Sequence, residues 1–135
     1  MATTNASISL SSSVIPGMQM SYYKTSTLHK AGGCDGLAKI QSGNAEYSST
    51  ATATLLDQST MSVTADKANK LYIKNLSTNT EEYFTITINA EELGRLYAGD
   101  WMFAPWNADT TGTDCDVTIT PSDAGMTAEY MAFID

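Results

Sequence analysis

The sequence predicts an all-β fold, a single antiparallel β-sandwich or jelly-roll-like domain. Three observations carry that prediction. Thr85-Ile86-Thr87-Ile88, Val117-Thr118-Ile119-Thr120 and Ala51-Thr52-Ala53-Thr54 alternate a hydroxyl residue with an apolar or small one. A two-residue period sends successive side chains to opposite faces of a sheet, and β-branched residues suit its pleated, half-buried surface. Turn-prone clusters recur at intervals of roughly 8–12 residues, the spacing of a sandwich or barrel. Helical periodicity is scarce: Ala90-Glu91-Glu92-Leu93 is the one helix candidate and gives a single turn at most.

The elements follow in order along the chain. Ile8, Leu10 and Val14 fall at even positions among serines, a strand that Pro16-Gly17 ends. Residues 1–6 lack such a pattern and read as a flexible arm. Met18, Met20 and Tyr22 alternate again, giving a second strand continued by Tyr23 and Lys24. Ala31 to Gly43 holds four glycines and reads as a long loop around Leu37 and Ile40. Tyr47 to Leu56 alternates weakly, as an edge strand with its hydroxyls in water would. Ser59 to Thr64 reads as a short strand, and Ala65 to Asn69 as a turn.

The second half is sharper. Lys70 to Asn75 and Tyr83 to Asn89 are strand-like, and the polar run Ser77-Thr78-Asn79-Thr80 between them predicts a hairpin. Leu93 to Leu96 leads into Tyr97-Ala98-Gly99-Asp100, a turn whose Gly can take positive φ. Trp101-Met102-Phe103-Ala104-Pro105-Trp106 follows as a strand closed by its proline. Asp116 to Thr120 and Thr127 to Ile134 bring the count to eight or nine, with Pro121 to Gly125 turning the chain between them.

A chain of 135 residues suits one domain over 1–135, burying roughly two-thirds of the surface its unfolded form exposes. It is 42% apolar but only 16% charged, so Ser, Thr and Asn must supply much of the polar surface. Lys and Arg number 7 against 15 Asp and Glu, a formal charge of −8. That balance repels nucleic-acid phosphate and anionic lipid, so neither nucleic acid nor membrane is expected as a partner. No segment approaches the ~20 apolar residues of a membrane helix. Met1-Ala2-Thr3-Thr4-Asn5 carries no basic region followed by an apolar stretch, so the expectation is no signal peptide and synthesis in a cytoplasm. There Cys34 and Cys115 are expected as independent thiols, and the glycosylation-like Asn5-Ala6-Ser7 and Asn75-Leu76-Ser77 as coincidences.

Reactive groups are few. His29 with Cys34 offers two ligands where a zinc site recruits three or four, and a surface His beside a loop Cys is the better reading than a nucleophile pair. Gly32-Gly33-Cys34-Asp35-Gly36 lacks the Lys and Ser/Thr of a phosphate loop. Asp109, Asp114 and Asp116 crowd one loop, but their spacing fits no calcium loop. Glu81-Glu82 and Glu91-Glu92 are adjacent in strands, where neighbouring carboxylates face opposite sides and cannot act together. The expectation is no enzyme, no catalytic residue, no metal and no cofactor. Contact residues are sought instead among large apolar groups in weakly patterned segments: Ile8, Leu10, Tyr22, Tyr23 and Trp106. Trp101 and Trp106 differ in parity, so one is expected in the core and the other at a surface.

The runs Leu71-Tyr72-Ile73-Lys74-Asn75, Leu96-Tyr97-Ala98-Gly99-Asp100-Trp101-Met102-Phe103-Ala104-Pro105 and Glu129-Tyr130-Met131-Ala132-Phe133 resemble a pattern in small structural proteins of tailed bacteriophages. There an Ile-Lys-Asn segment opens a hairpin, a Gly-acid-aromatic turn enters a strand ending in Pro, and a Glu-Tyr strand closes the sheet. Over roughly residues 70–133 the chain is similar to head decoration (cement) proteins and to some tail or fibre domains. The resemblance implies a β-sandwich without catalysis, present in the virion in repeated copies, often as trimers, and bound to the major capsid protein. It transfers no functional residue. The alternatives are a tail or adsorption domain and a carbohydrate-binding module resting on the Trp pair and the acidic loop.

Overall fold

The computed structural model describes residues 3–13, 20–61, 63, 67–108 and 115–135. Among the described residues, ten strands and one helical turn make up the regular structure. Strands β1 (Thr4–Ser12) and β2 (Met20–Leu28) pair with each other, from Thr4 against Leu28 to Ser12 against Met20, and among the described residues form a two-stranded sheet of their own. The remaining eight are β3 (Lys39–Tyr47), β4 (Ala53–Leu56), β5 (Lys70–Asn75), β6 (Tyr83–Ile88), β7 (Glu91–Tyr97), β8 (Trp101–Pro105), β9 (Val117–Pro121) and β10 (Met126–Ile134), with α1 (Gln58–Met61) between β4 and β5. They form two antiparallel four-stranded sheets, ordered β3-β10-β5-β8 and β4-β9-β6-β7.

The pairing is nested. β3 lies against β10, β4 against β9, β5 against β8 and β6 against β7. An eight-stranded ribbon paired in this way and wrapped into two sheets is the jelly-roll form of the β-sandwich. The all-β sandwich expected from the alternation is therefore the fold found. Leu71 and Ile73 from β5, Phe84 and Ile86 from β6, and Val117 and Ile119 from β9 meet between the sheets in one core. Each pair is spaced by two residues, so the other face of its strand is polar or half-exposed, as in Thr85, Thr87 and Thr118.

Several local expectations are corrected. β5 and β6 do not form a hairpin; they lie in different sheets, and residues 76–82 carry the chain across. Asn75 fixes that crossing. Its side-chain amide donates to the carbonyls of Leu96 (3.0 Å) and Glu82 (3.4 Å), while its oxygen accepts from the Ser77 N–H (2.9 Å). The stretch from Ser59 starts inside α1 rather than in a strand, because Asp57 accepts from the N–H groups of Ser59 and Thr60 and so caps a helical turn. Ser62 and Thr64 lie outside the described residues.

The Ala31–Gly43 loop is shorter than expected, because β3 begins at Lys39. Gly43 sits mid-strand with the Tyr130 ring packed over it; a Cβ there would meet the tyrosine oxygen at 2.9 Å. Asn89 and Ala90 form a two-residue turn with both φ positive (55° and 59°). That turn links β6 directly to β7, so Ala90 to Leu93 enter a strand rather than a helical turn. The arm is corrected too: Thr4, Asn5 and Ala6 are strand residues paired with Leu28, Thr27 and Ser26. Met1, Ala2, Val14 and Met18 lie outside the described residues.

A candidate interaction surface on the hairpin and the outer sheet face

The β1–β2 hairpin is two-faced because its register puts the even residues of both strands on one side. Ala6, Ile8 and Leu10 stand opposite Ser26, Lys24 and Tyr22. The odd residues make a hydroxyl face: Ser7 and Thr25 hydroxyls lie 3.0 Å apart, and Thr27 donates to the Asn5 side chain at 2.9 Å. Tyr23 stands on that polar face, 67% exposed, its oxygen accepting from Thr25 at 3.1 Å. This hydrogen bond holds the exposed phenol below its usual pKa.

The hairpin root is fixed to the sandwich. Leu28 is buried, and His29 bridges to Gly36 across the loop that follows. The carboxylate of Asp135 accepts from the N–H groups of Ala31 (2.7 Å) and Ala68 (3.2 Å), joining that loop to the body. The Ala31 bond is the main reason the Asp135 carboxyl lies below the ordinary carboxylate range.

Facing the basal half of the hairpin is the outer surface of the β3-β10-β5-β8 sheet. Register sets Met131, Tyr72 and Phe103 in one cross-strand row, with Phe133 and Lys70 in the next and Lys74 beside Trp101. Tyr72 and Trp101 rings lie 6.3 Å apart, and Phe103 meets Phe133 edge-on at 5.8 Å. The Tyr72 hydroxyl donates to Glu129 at 3.1 Å. Partial burial, and then this bond, raise its pKa. Between sheet and hairpin runs an apolar groove of about 720 Å³, with Ala6, Ile8 and Leu28 along one wall and Tyr72, Trp101 and Phe103 along the other. Lys24, Lys70 and Lys74 line it as well.

Beyond the groove the apolar face of the hairpin continues uncovered. Leu10, Tyr22 and Met20 are 42%, 46% and 51% exposed. This apolar stripe is continuous with the aromatic sheet face, an exposed patch of the kind that marks interaction sites.

The expected contact residues thus separate. Leu10 and Tyr22 share the open apolar face, Ile8 lines the groove, and Tyr23 projects from the opposite face. Trp106 is corrected: it is 1% exposed, and its indole N–H donates to the Cys115 carbonyl at 2.8 Å. It belongs to the core, and Trp101, 44% exposed, is the surface tryptophan. The parity expectation itself holds: Trp106 continues the inward even positions of Met102 and Ala104, and Trp101 shares the outer face with Phe103. What alternation leaves open is which of the two is inside. The groove's aromatic floor escaped sequence reasoning, although the alternation Lys70-Tyr72-Lys74 against Leu71-Ile73-Asn75 marks one wet and one dry face of β5.

The residues considered for chemistry stay apart. The His29 ring nitrogen lies 3.0 Å from the backbone carbonyl of Cys34, a contact that does not use the thiol. Cys34 and Cys115 are free thiols. Asp116 accepts from the Gln58 N–H at 3.0 Å, while Asp109 and Asp114 lie outside the described residues. Among the described residues no group of three His, Cys, Asp or Glu side chains is placed to hold a metal, and no helix is long and apolar enough to cross a membrane. No family model, curated protein or solved structure matches this chain.

Proposed function

We propose that this chain is a non-enzymatic virion structural protein that decorates and stabilises a phage capsid through protein–protein contacts. The observation that carries the reading is the projecting hairpin whose apolar face, Leu10, Tyr22 and Met20, is left uncovered while its root is anchored to a rigid sandwich. Such an element presents apolar side chains and backbone hydrogen-bonding edges to a partner without a preformed pocket. The resemblance of residues 70–133 to phage decoration proteins supplies the kind of partner: the major capsid protein and further copies of the chain. Jelly rolls serve in capsids and in lectins alike, so the fold alone does not choose between them.

Quantitative mass spectrometry of purified virions tests the assignment. Decoration requires the chain in copy number comparable to the capsid protein. A handful of copies per particle would move it to the tail or adsorption apparatus. A second reading, carbohydrate binding, is favoured by one feature, the exposed Trp101 beside Tyr72. Glycan binding abolished by Trp101→Ala would support it in place of decoration.

A further inference from the structure

We infer that the groove between the hairpin and the outer sheet face receives the β6–β7 tip of a second copy of this chain. The inference deepens the assembly reading and rests on it in one respect, that the protein acts in repeated copies. Its basis is the uneven distribution of charge. Only 7 of the 135 residues are Lys or Arg, in a chain of net charge −8. Three of them, Lys24, Lys70 and Lys74, line one apolar groove. The Lys24 ammonium lies over the Tyr22 ring, 5.8 Å from its centroid, and the Lys70 ammonium donates to the Ala68 carbonyl at 2.7 Å. Lys24 comes from the hairpin and the other two from β5, so the tertiary fold gathers them. Glu129, cross-strand from Lys74, offsets part of that charge and leaves the groove basic.

An occupant that complements the groove carries carboxylates beside an exposed apolar side chain. This chain has such a feature. Many of its aspartates are held by their own backbone: Asp57, Asp100, Asp116 and Asp135 each accept from main-chain N–H groups. Glu91 and Glu92 instead stand exposed just past the two-residue turn at Asn89-Ala90, followed by Leu93 at 54% exposure. A two-residue turn is the narrowest end a sheet can present. Leu93 meets the aromatic floor at Tyr72 and Phe103. Glu91 and Glu92, on opposite faces of the inserted tip, each meet lysines of a different wall, Lys24 on the hairpin side and Lys70 and Lys74 on the sheet side.

Groove and tip belong to different sheets. A contact passed head to tail from copy to copy in this way repeats around a ring if the rotation closes. Each interface is small, and ring closure multiplies it.

Charge exchange in the full chain is the test, read by sedimentation velocity from micromolar to millimolar protein. The wild type should self-associate. Lys24→Glu/Lys70→Glu and Glu91→Lys/Glu92→Lys should each weaken association by roughly tenfold or more, because like charges then meet across the contact. The two variants mixed, or all four substitutions in one chain, should recover it. Phe103→Ser, which leaves the charges in place, should also weaken it. Circular dichroism confirms that each variant is folded. A wild type that stays monomeric throughout, or a folded four-substitution chain that fails to recover association, overturns the inference. Neither result bears on capsid decoration, which is read separately on particles.

Discussion

Trp106 and Trp101 are five residues apart and occupy opposite environments, and replacing each in turn shows how sharply. Trp106 is 1% exposed; its backbone N–H donates to Asn69 at 2.9 Å and its indole to Cys115 at 2.8 Å. Truncating a buried Trp to Ala costs about 3–5 kcal/mol. Stranding the Cys115 carbonyl adds about 1 kcal/mol, at the low end because Cys115 is only half-buried. The total, about 4–6 kcal/mol, approaches the whole stability of many domains, about 5–15 kcal/mol. At about 3–5 °C per kcal/mol for a chain of this length, Trp106→Ala should melt at least ~12 °C lower or fail to fold. Trp106→Phe, which keeps much of the volume but not the hydrogen bond, should cost about 1–3 kcal/mol. Trp101→Ala, on the outer sheet face, should stay within about 1 kcal/mol of wild type. Thermal and urea denaturation followed by circular dichroism measure all three. Fluorescence supplies a second reading: Trp101→Phe, retaining only the buried indole, should emit to the blue of Trp106→Phe. Equal destabilisation by the two alanine variants would refute the placement of Trp106 in the core.

Three further outcomes are expected. Ala90 carries a positive φ of 59°, so Ala90→Gly should raise stability by about 1 kcal/mol; a lower melting temperature would contradict the turn geometry. Asn75→Ala removes the partners of Leu96, Glu82 and Ser77 and should cost about 2–4 kcal/mol in urea titration. A neutral effect would show that the crossing is held otherwise. Burial, reinforced by nearby Tyr130, pushes the Tyr47 phenol up to about 12 from an ordinary value of 10.0. The folded chain thus holds this proton more tightly than the unfolded one. That contribution should be intact below pH ~10 and lost as pH rises through ~12, and Tyr47→Phe should flatten that part of the alkaline profile.

Legibility in the sequence followed side-chain contrast. β5, β6, β9 and β10 alternate apolar with polar residues and were readable to within a residue or two. β3 was hidden because Gly43 offers no side chain and takes its cover from Tyr130 on the neighbouring strand, a partner only the tertiary fold supplies. The β5–β6 connection misled because proximity in sequence favours a hairpin, whereas a jelly roll pairs strands that are distant in sequence. α1 had a legible signal, Asp57 ahead of Ser59-Thr60, which the hydroxyl-rich alternation outweighed. The hairpin half of the candidate surface showed in Ile8, Leu10 and Tyr22. Its other half did not, because Trp101 and Phe103 alternate with Met102 and Ala104, and a strand apolar on both faces does not say which is inside. Lys24 meets Lys70 and Lys74 only through the fold.

The central claim is that the open apolar face of the hairpin attaches the protein to its shell. It is tested most directly by adding purified chain to particles that lack it and measuring occupancy. Leu10→Asp/Tyr22→Asp places two charges on that face, at positions already exposed, so the sandwich should fold unchanged. The account predicts full occupancy for wild type and near-complete loss for the double variant, with matching circular dichroism. Equal occupancy by the two proteins would contradict it.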